Sequence, residues 1–166
     1  MASGNDAVTD YRVGTGFDGH AFEDGVPLVL GGVQIEHPRG MAGHSDGDVL
    51  AHALTDAVLG AAGMEDIGAL FPSGDPALEG ADSIELLREA WRRVREAGWE
   101  LAHADVVLLG DEPRLAPPRA AMRARLAEAL GVDPERVAVR ATTTDGLGFT
   151  GRREGLAAQA VALLRR

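Results

Sequence analysis

Two short segments of this sequence concentrate side chains that can bind a metal or move a proton. Asp18 and His20 are separated by one residue, and residues 44–52 hold two histidines, two aspartates and a serine. If residues 18–20 are extended, the Asp18 and His20 side chains project from the same face of a strand. A carboxylate oxygen and an imidazole nitrogen on one face supply half of a divalent-metal site.

The second segment predicts a polar loop that leads into a helix. Asp48 is a suitable N-cap, because its carboxylate can accept hydrogen bonds from the free N–H groups of the first turn. His52 lies in that turn, on a different stripe from the apolar residues. Those apolar residues recur at helical spacing and are Leu50, Leu54, Ala57, Val58 and Ala61. The alternative is an ordinary capped helix with surface histidines, but charged groups this crowded cost free energy unless something binds them.

Asp18, His20 and His52 together would form a site with two nitrogen ligands and one oxygen ligand. Three protein ligands leave a coordination position open, which is the pattern of catalytic zinc sites, although other divalent ions are alternatives. Residues 144–153 are rich in Gly and Thr and carry two arginines, which are phosphate-binding groups; a plain flexible loop explains them equally well. The residues alone predict a metal-dependent enzyme acting on a phosphorylated small molecule.

The rest of the chain predicts the elements that must position these groups. The predicted elements are a strand from Arg12, a hairpin at 27–35, helices at 48–62, 82–97 and 119–130, a loop at 65–76, and strands at 104–109 and 137–143. The segment 156–164 is ambiguous, because its alanines favour a helix whereas its apolar run also fits a buried strand. His37 is expected to face solvent in a loop. This order predicts a two-layer α+β domain over residues 11–166, with helices on one face of a sheet and a flexible tail at 1–10.

Composition and charge exclude several classes of function. The chain has 166 residues, a formal net charge of −10, no cysteine and no lysine. A phosphate-backbone binder needs a basic face, so no nucleic-acid partner is expected. Schiff-base and P-loop chemistry are excluded because both need lysine. No apolar run approaches the length of a membrane span and the polar N-terminus does not fit a signal peptide, so no membrane association is expected and the cytoplasm is the expected location.

Four motifs follow one another along the chain. They are GFDGHAF at 16–22, HSDGDVLAHALTDAVLG at 44–60, DIGALFP at 66–72 and TTTDGLGFTGRREG at 142–155. In this order they resemble the 2-C-methyl-D-erythritol 2,4-cyclodiphosphate synthase family, from Tyr11 to the C-terminus. The resemblance implies conversion of 4-diphosphocytidyl-2-C-methyl-D-erythritol 2-phosphate to the cyclic diphosphate, with release of CMP, in the non-mevalonate isoprenoid pathway. It also implies a ferredoxin-like mixed sheet whose last segment is a strand.

The resemblance assigns roles to the matching residues. Asp18, His20 and His52 are the implied zinc ligands, and the zinc holds the β-phosphate of the substrate. His44 and Thr143 are implied to stabilise the transition state, and Asp145 to hold magnesium or manganese. The implied substrate contacts are Asp18, Gly19, His20, His44, Ser45, Asp66, Ile67, Gly68, Phe71, Asp75, Gly110, Pro113, Arg114, Leu115, Ala116, Ala141, Thr142, Thr143, Thr144, Asp145, Phe149 and Arg152. Among them, residues 110–116 match a cytidine-binding loop and residues 142–145 a diphosphate-binding segment.

The same resemblance implies a homotrimer with active sites between subunits. Such an assembly would explain how so acidic a chain holds an anionic substrate. Arg152 and Glu154 match residues that face a central cavity, which holds an isoprenoid diphosphate in some members; whether it does so here stays open.

Several positions depart from the family pattern. Asp145 stands where Glu is frequent, Ser73 stands where Asp is common, and Arg114 replaces a frequent Lys. Asp145 has a shorter side chain than Glu, so its magnesium must sit closer or be reached through water. Asp111 and Glu112 add negative charge beside the cytidine loop, which is expected to weaken nucleotide binding.

Two alternatives from other classes remain. A non-catalytic trimer that senses a phosphorylated isoprenoid or nucleotide would be expected to lose a metal ligand or Thr143, and the sequence keeps them. A metal-dependent phosphoesterase would use water as the nucleophile and would release free phosphate instead of a cyclic product.

Overall fold

A computed structural model describes residues 9–166 of the chain. Its strands are β1 (Tyr11–Asp24), β2 (Leu28–Leu30), β3 (Val33–Ile35), β4 (Arg39–Met41), β5 (Glu100–Leu109), β6 (Val137–Thr142) and β7 (Gly155–Arg165). Its helices are α1 (Val49–Ala62), α2 (Ile67–Leu70), α3 (Ser83–Glu96), α4 (Arg119–Leu130) and α5 (Gly148–Gly151). The tail predicted at residues 1–10 falls mostly outside the described residues. None of the helices between residues 9 and 166 is long and apolar enough to cross a membrane.

Five strands form a mixed sheet in the order β4-β1-β7-β5-β6, and β2 pairs with β3 as a separate hairpin. The β5–β6 pair is parallel, whereas β1 pairs antiparallel with β4 and β7, and β5 pairs antiparallel with β7. Helix α1 packs against β1, β7 and β5, and α4 contacts β6. The prediction of an α+β fold with a mixed sheet is confirmed.

The ambiguous C-terminal segment is strand β7. Ala158, Ala160, Ala162 and Leu164 are buried, whereas Gln159 is exposed between them. This alternation places small apolar side chains on the face covered by the helices. Backbone pairing with β1 on one side and β5 on the other outweighs the helix propensity of alanine.

Helix α1 lies directly on the backbone of β1. A Cβ atom on Gly16 would fall on the carbonyl oxygen of Ala53, and one on Gly14 would fall on the carbonyl oxygen of Ala57. Only glycine permits so close an approach of helix and strand. As a result, the first turn of α1, which carries His52, faces the part of β1 just beyond Gly16.

Asp48 joins the start of α1 to the β2–β3 hairpin. Its carboxylate is fully buried and accepts hydrogen bonds from the N–H groups of Leu50 and Ala51 in the helix, both at 3.1 Å. It also accepts from Gly31 at 2.9 Å and Gly32 at 2.7 Å in the hairpin turn. Burial raises the pKa of Asp48 to about 6, and the N–H donors act in the opposite direction. The predicted N-cap is confirmed, and it anchors a second element that the sequence did not connect to it.

Two loop predictions need correction. The predicted loop at 65–76 contains helix α2, and a 3₁₀ turn follows at Pro76–Leu78. The prediction that His37 faces solvent is wrong, because its side chain is only 8% exposed. The His37 ring stacks on Phe22 with centroids 5.2 Å apart and lies 3.5 Å from a Glu112 oxygen, a contact made across the sheet edge.

Candidate functional site

The structure brings Asp18, His20 and His52 together at the junction of β1 and α1. One ligand atom from each residue lies within 4.8 Å of the others, and all three side chains are partly buried. The Asp18 Oδ2 atom is 3.0 Å from Nε2 of His20 and 3.0 Å from Nδ1 of His52. The alternation of β1 and the close packing of α1 on Gly16 produce this convergence, which matches the predicted metal triad.

Each histidine of the triad has its second ring nitrogen held by the protein. The Nδ1 of His20 lies 2.6 Å from the carbonyl oxygen of Ala42, to which it can only donate. The Nε2 of His52 lies 2.8 Å from the Ser83 hydroxyl and 3.1 Å from the Ser45 hydroxyl. Both rings therefore turn the nitrogen that faces Asp18 towards a common point, as histidine ligands of a metal do.

Electrostatics within the triad favour the ionised carboxylate. Burial alone would raise the pKa of Asp18, but hydrogen bonds from His20 and His52 outweigh it and lower that pKa well below its usual range. The hydrogen bond with Asp18 raises the pKa of His20, against the opposite effect of burial. A cation placed among these groups would replace the proton that this pairing favours.

A cavity of about 270 Å³ opens beside the triad. Its predicted lining residues are Asp18, His20, His44, Ser45, His52, Ile67, Gly68 and Phe71. Ser73, which the resemblance places in the substrate loop, also lines the cavity, as do Leu78 and Leu86, which sequence reasoning did not assign to the site. Leu86 lies on α3 beside the apolar stripe, so only the arrangement of α3 against α1 could reveal it.

Two predicted substrate contacts have structural roles around this cavity. Asp66 caps α2 by accepting from the Ala69 N–H at 2.9 Å, and Asp75 accepts from the Ala77 N–H at 2.9 Å. The carbonyl oxygen of Asp75 lies 3.0 Å from Nε2 of His44, which connects the loop after α2 to the segment before α1.

A second group of predicted residues lies at the ends of the parallel strands β5 and β6. The Gly110 N–H donates to the Thr142 carbonyl oxygen at 3.0 Å, so the loop at 110–116 and the segment at 142–145 are neighbours. The Thr143 hydroxyl donates to Asp145 Oδ1 at 3.3 Å. Within the described part of this chain, neither segment lines the cavity beside the triad.

Phe149 and Arg152 flank this second group. The Phe149 ring reaches to 3.8 Å from where a Cβ on Gly19 would stand, and Gly19 lies between Asp18 and His20 on β1. Arg152 forms an exposed ion pair with Glu154 at 2.9 Å. Ala141 is the penultimate residue of β6 and pairs with Leu108.

Of the two extra negative charges in the loop at 110–116, that of Glu112 is balanced locally. Glu112 forms an ion pair with Arg39 at 2.9 Å, and Arg153 lies 3.9 Å from its other oxygen. The Arg39 guanidinium also stacks 4.4 Å from the Phe22 ring centroid. Glu112 thus anchors its loop to the β1–β4 edge, and the sequence could not reveal this because Arg39 is 73 residues away.

Comparison with known proteins identifies the family of the chain. A family model for the YgbB family matches residues 11–165. The chain belongs to the YgbB family. A relative from Moorella thermoacetica, named 2-C-methyl-D-erythritol 2,4-cyclodiphosphate synthase, is 60% identical over 153 residues, which cover 92% of this chain and 94% of the relative.

Solved structures show the same YgbB-family fold. A 2C-methyl-D-erythritol-2,4-cyclodiphosphate synthase in its CDP-bound form superposes with a TM-score of 0.84 at 42% identity, covering 92% of this chain and 99% of that one. The bifunctional IspDF from Campylobacter jejuni gives a TM-score of 0.91 at 46% identity. That match covers 95% of this chain but only 42% of the bifunctional chain.

Proposed function

We propose that this YgbB-family chain is a phosphorus–oxygen lyase of the non-mevalonate isoprenoid pathway. It converts 4-diphosphocytidyl-2-C-methyl-D-erythritol 2-phosphate to 2-C-methyl-D-erythritol 2,4-cyclodiphosphate and CMP. In this reaction an oxygen of the 2-phosphate bonds to the β-phosphorus, and the bond between that phosphorus and the bridging oxygen of CMP breaks. The observation that carries the proposal is the triad of Asp18, His20 and His52 beside a cavity, in a chain 60% identical to a named synthase.

Zinc is the metal proposed for the triad. Two imidazole nitrogens and one carboxylate oxygen match the donors that zinc prefers, and three protein ligands leave a position for a substrate oxygen. Zinc bound there would neutralise charge on the diphosphate and polarise its phosphorus–oxygen bonds. The residues of this chain orient the two phosphates, which makes the attack intramolecular and offsets their mutual repulsion.

The other site residues fall into groups with distinct proposed tasks. His44 and Ser45 bind the phosphate of the methylerythritol, and His44 and Thr143 stabilise the transition state. Residues 66–75 surround the methylerythritol, and the loop at 110–116 binds cytidine. Thr142–Asp145 hold the diphosphate, with magnesium or manganese on Asp145. The neighbouring positions of 110–116 and 142–145 support a continuous nucleotide diphosphate site, as does the CDP named with the related structure.

The proposal includes a homotrimer with active sites between subunits and a ferredoxin-like arrangement of the sheet. The face of the sheet away from α1 exposes large apolar side chains, since Tyr11 is 57%, Val13 65% and Phe17 62% exposed. Exposed apolar residues this dense mark an interface. Assembly would also let the 110–116 and 142–145 segments of one chain meet the triad cavity of another.

Sedimentation should give a mass of three chains, and Phe17→Asp should reduce it to one.

Phosphorus NMR provides the direct test of the activity. The protein is incubated with the diphosphocytidyl substrate, zinc and magnesium, and the spectra should show CMP and a cyclic diphosphate appearing together. The matched control is His52→Ala, which should leave the fold intact and yield neither product. Release of inorganic phosphate would instead favour a phosphoesterase, and binding without turnover would favour a sensor.

A further inference from the structure

Asp46 and Ser83 form a hydrogen-bonded pair behind the His52 ring, on the side away from Asp18. The Asp46 carboxylate accepts from the N–H groups of Asp48 and Ser83, both at 3.1 Å, and from the Ser83 hydroxyl. Ser83 is fully buried at the start of α3, and its oxygen lies 2.8 Å from Nε2 of His52. A chain of hydrogen bonds therefore connects Asp46 through Ser83 and His52 to Asp18.

The direction of each proton along this chain follows from the donors available. An ionised carboxylate can only accept, so the single hydroxyl proton of Ser83 points to Asp46. The Ser83 oxygen then has only lone pairs to offer His52, so the proton between them belongs to Nε2 of His52. The Ser45 hydroxyl lies 3.1 Å from the same nitrogen and 3.4 Å from the Ser83 oxygen, so it can donate to Ser83 and accept from Nε2 as well. This leaves Nδ1 of His52, the atom 3.0 Å from Asp18, as the nitrogen that binds a metal, and the metal replaces the proton that Nδ1 shares with Asp18.

We propose that Asp46 and Ser83 are positioning residues that hold His52 as the Nε2–H tautomer, ready to bind metal through Nδ1. This inference rests on the proposed metal-binding role of the triad and extends it. His20 offers a comparison within the same site, because its Nδ1 donates to the backbone carbonyl of Ala42. The tautomer of His20 is thus fixed by a backbone group, whereas that of His52 depends on side chains that can be replaced.

Asp46→Asn probes this arrangement without changing the size of the side chain. One Asp46 oxygen accepts from the Asp48 N–H and the Ser83 hydroxyl, and the other accepts from the Ser83 N–H. In Asp46→Asn, the side-chain NH₂ replaces one of these oxygens, and at either position it faces at least one N–H donor from which it cannot accept a hydrogen bond. When the NH₂ faces the Ser83 oxygen, the hydroxyl proton must turn towards His52, which favours the Nδ1–H tautomer that cannot bind metal.

Zinc affinity, measured by competition with a chromophoric chelator, tests the proposal. Ser83→Ala and Asp46→Asn should each weaken zinc binding by about 10- to 100-fold, the usual effect of removing a group that orients a metal ligand. The double variant should lose no more zinc affinity than the single variant that binds zinc less tightly, since both changes break one chain of hydrogen bonds. Nitrogen-15 NMR of the metal-free protein, at a pH where the His52 ring is neutral, should show the Nε2–H tautomer, and a mixture of tautomers in Ser83→Ala.

Asp82→Ala is the matched control, because Asp82 caps the same helix by accepting from the Ile84 N–H at 2.8 Å without touching His52. It should leave zinc affinity unchanged. If His52→Ala binds zinc as the wild type does, the proposed metal site itself fails. If His52→Ala loses zinc but Ser83→Ala and Asp46→Asn retain it, or if Asp82→Ala loses as much, the positioning role is overturned. Fully multiplicative losses in the double variant would also overturn it, because Asp46 would then act through its charge alone.

Discussion

Gly16→Ala tests whether the close packing of α1 on β1 creates the metal site. The added Cβ would fall on the Ala53 carbonyl oxygen and lie 2.8 Å from the Ala57 nitrogen, both backbone atoms that cannot rotate away. Restoring ordinary carbon–oxygen contact requires α1 to retreat from β1 by roughly 1.5 Å. His52 is the residue before Ala53 and must move with it.

Metal sites tolerate much smaller displacements, since ligand distances hold within about 0.2 Å. Gly16→Ala should therefore remove His52 from the triad and weaken zinc binding at least about 100-fold, the upper end of the effect of disturbing a ligand's support. The metal-free protein should also lose about 3 kcal/mol of stability, the upper range for overpacking a core. Chelator competition measures the first quantity, and urea denaturation of the metal-free protein measures the second.

Gly60→Ala is the matched control on the same interface. A Cβ on Gly60 would lie 3.8 Å from the Thr15 carbonyl oxygen, which is ordinary contact. It should leave zinc affinity unchanged and stabilise α1 by up to about 1 kcal/mol through helix propensity. Unchanged zinc affinity in Gly16→Ala would refute the argument that this packing sets the position of His52.

Three further outcomes are expected. Because the pKa of His20 is raised, its pairing with Asp18 stabilises the metal-free protein fully below pH 6.5, and this stability is lost as the pH rises through the raised value. Zinc affinity should strengthen over the same pH interval, because zinc replaces the proton. The melting temperatures of zinc-loaded and chelator-treated protein should therefore diverge as the pH increases. Asp48→Ala should cost about 3 kcal/mol in urea denaturation, because it leaves N–H groups of both α1 and the hairpin without an acceptor; a loss no larger than that of an exposed N-cap would contradict this. Glu112→Gln should weaken CDP binding by about fivefold or less in calorimetric titration, since partly exposed ion pairs contribute up to about 1 kcal/mol. Tighter CDP binding would instead support simple charge repulsion between Glu112 and the nucleotide.

Local signals in the sequence predicted the elements that depend on local interactions. The N-cap Asp48 and the apolar spacing after it predicted α1 close to its observed bounds of Val49–Ala62. The Gly31-Gly32 pair predicted the β2–β3 hairpin, and Gly131 marked the end of α4. Caps, turns and periodicity act over a few residues, so the sequence alone carries their information.

Interactions between distant residues could not be deduced from the local pattern of residue types. Strand β7 has helix-favouring alanines, so its own residues left it ambiguous and only the family resemblance implied a strand; its pairing between β1 and β5 makes it extended. Sequence reasoning gave Ser83 no place in the site, because its contact with His52 spans 31 residues. Asp46 had no assigned role for the same reason, since its hydroxyl partner lies 37 residues further along. Which side chains meet across such distances is decided by the packing of α1 on β1 and α3.

The contact between Asp18 and His52 joins two points of the chain that are 34 residues apart. This chain has no cysteine, so it cannot form a disulfide to close that loop. A metal bound by both side chains would act as a removable cross-link between β1 and α1. By the chain-entropy relation for disulfides, closing a loop of this length is worth about 4 kcal/mol. Metal supply would then set how readily the sheet and its covering helix separate, as well as whether the site is occupied.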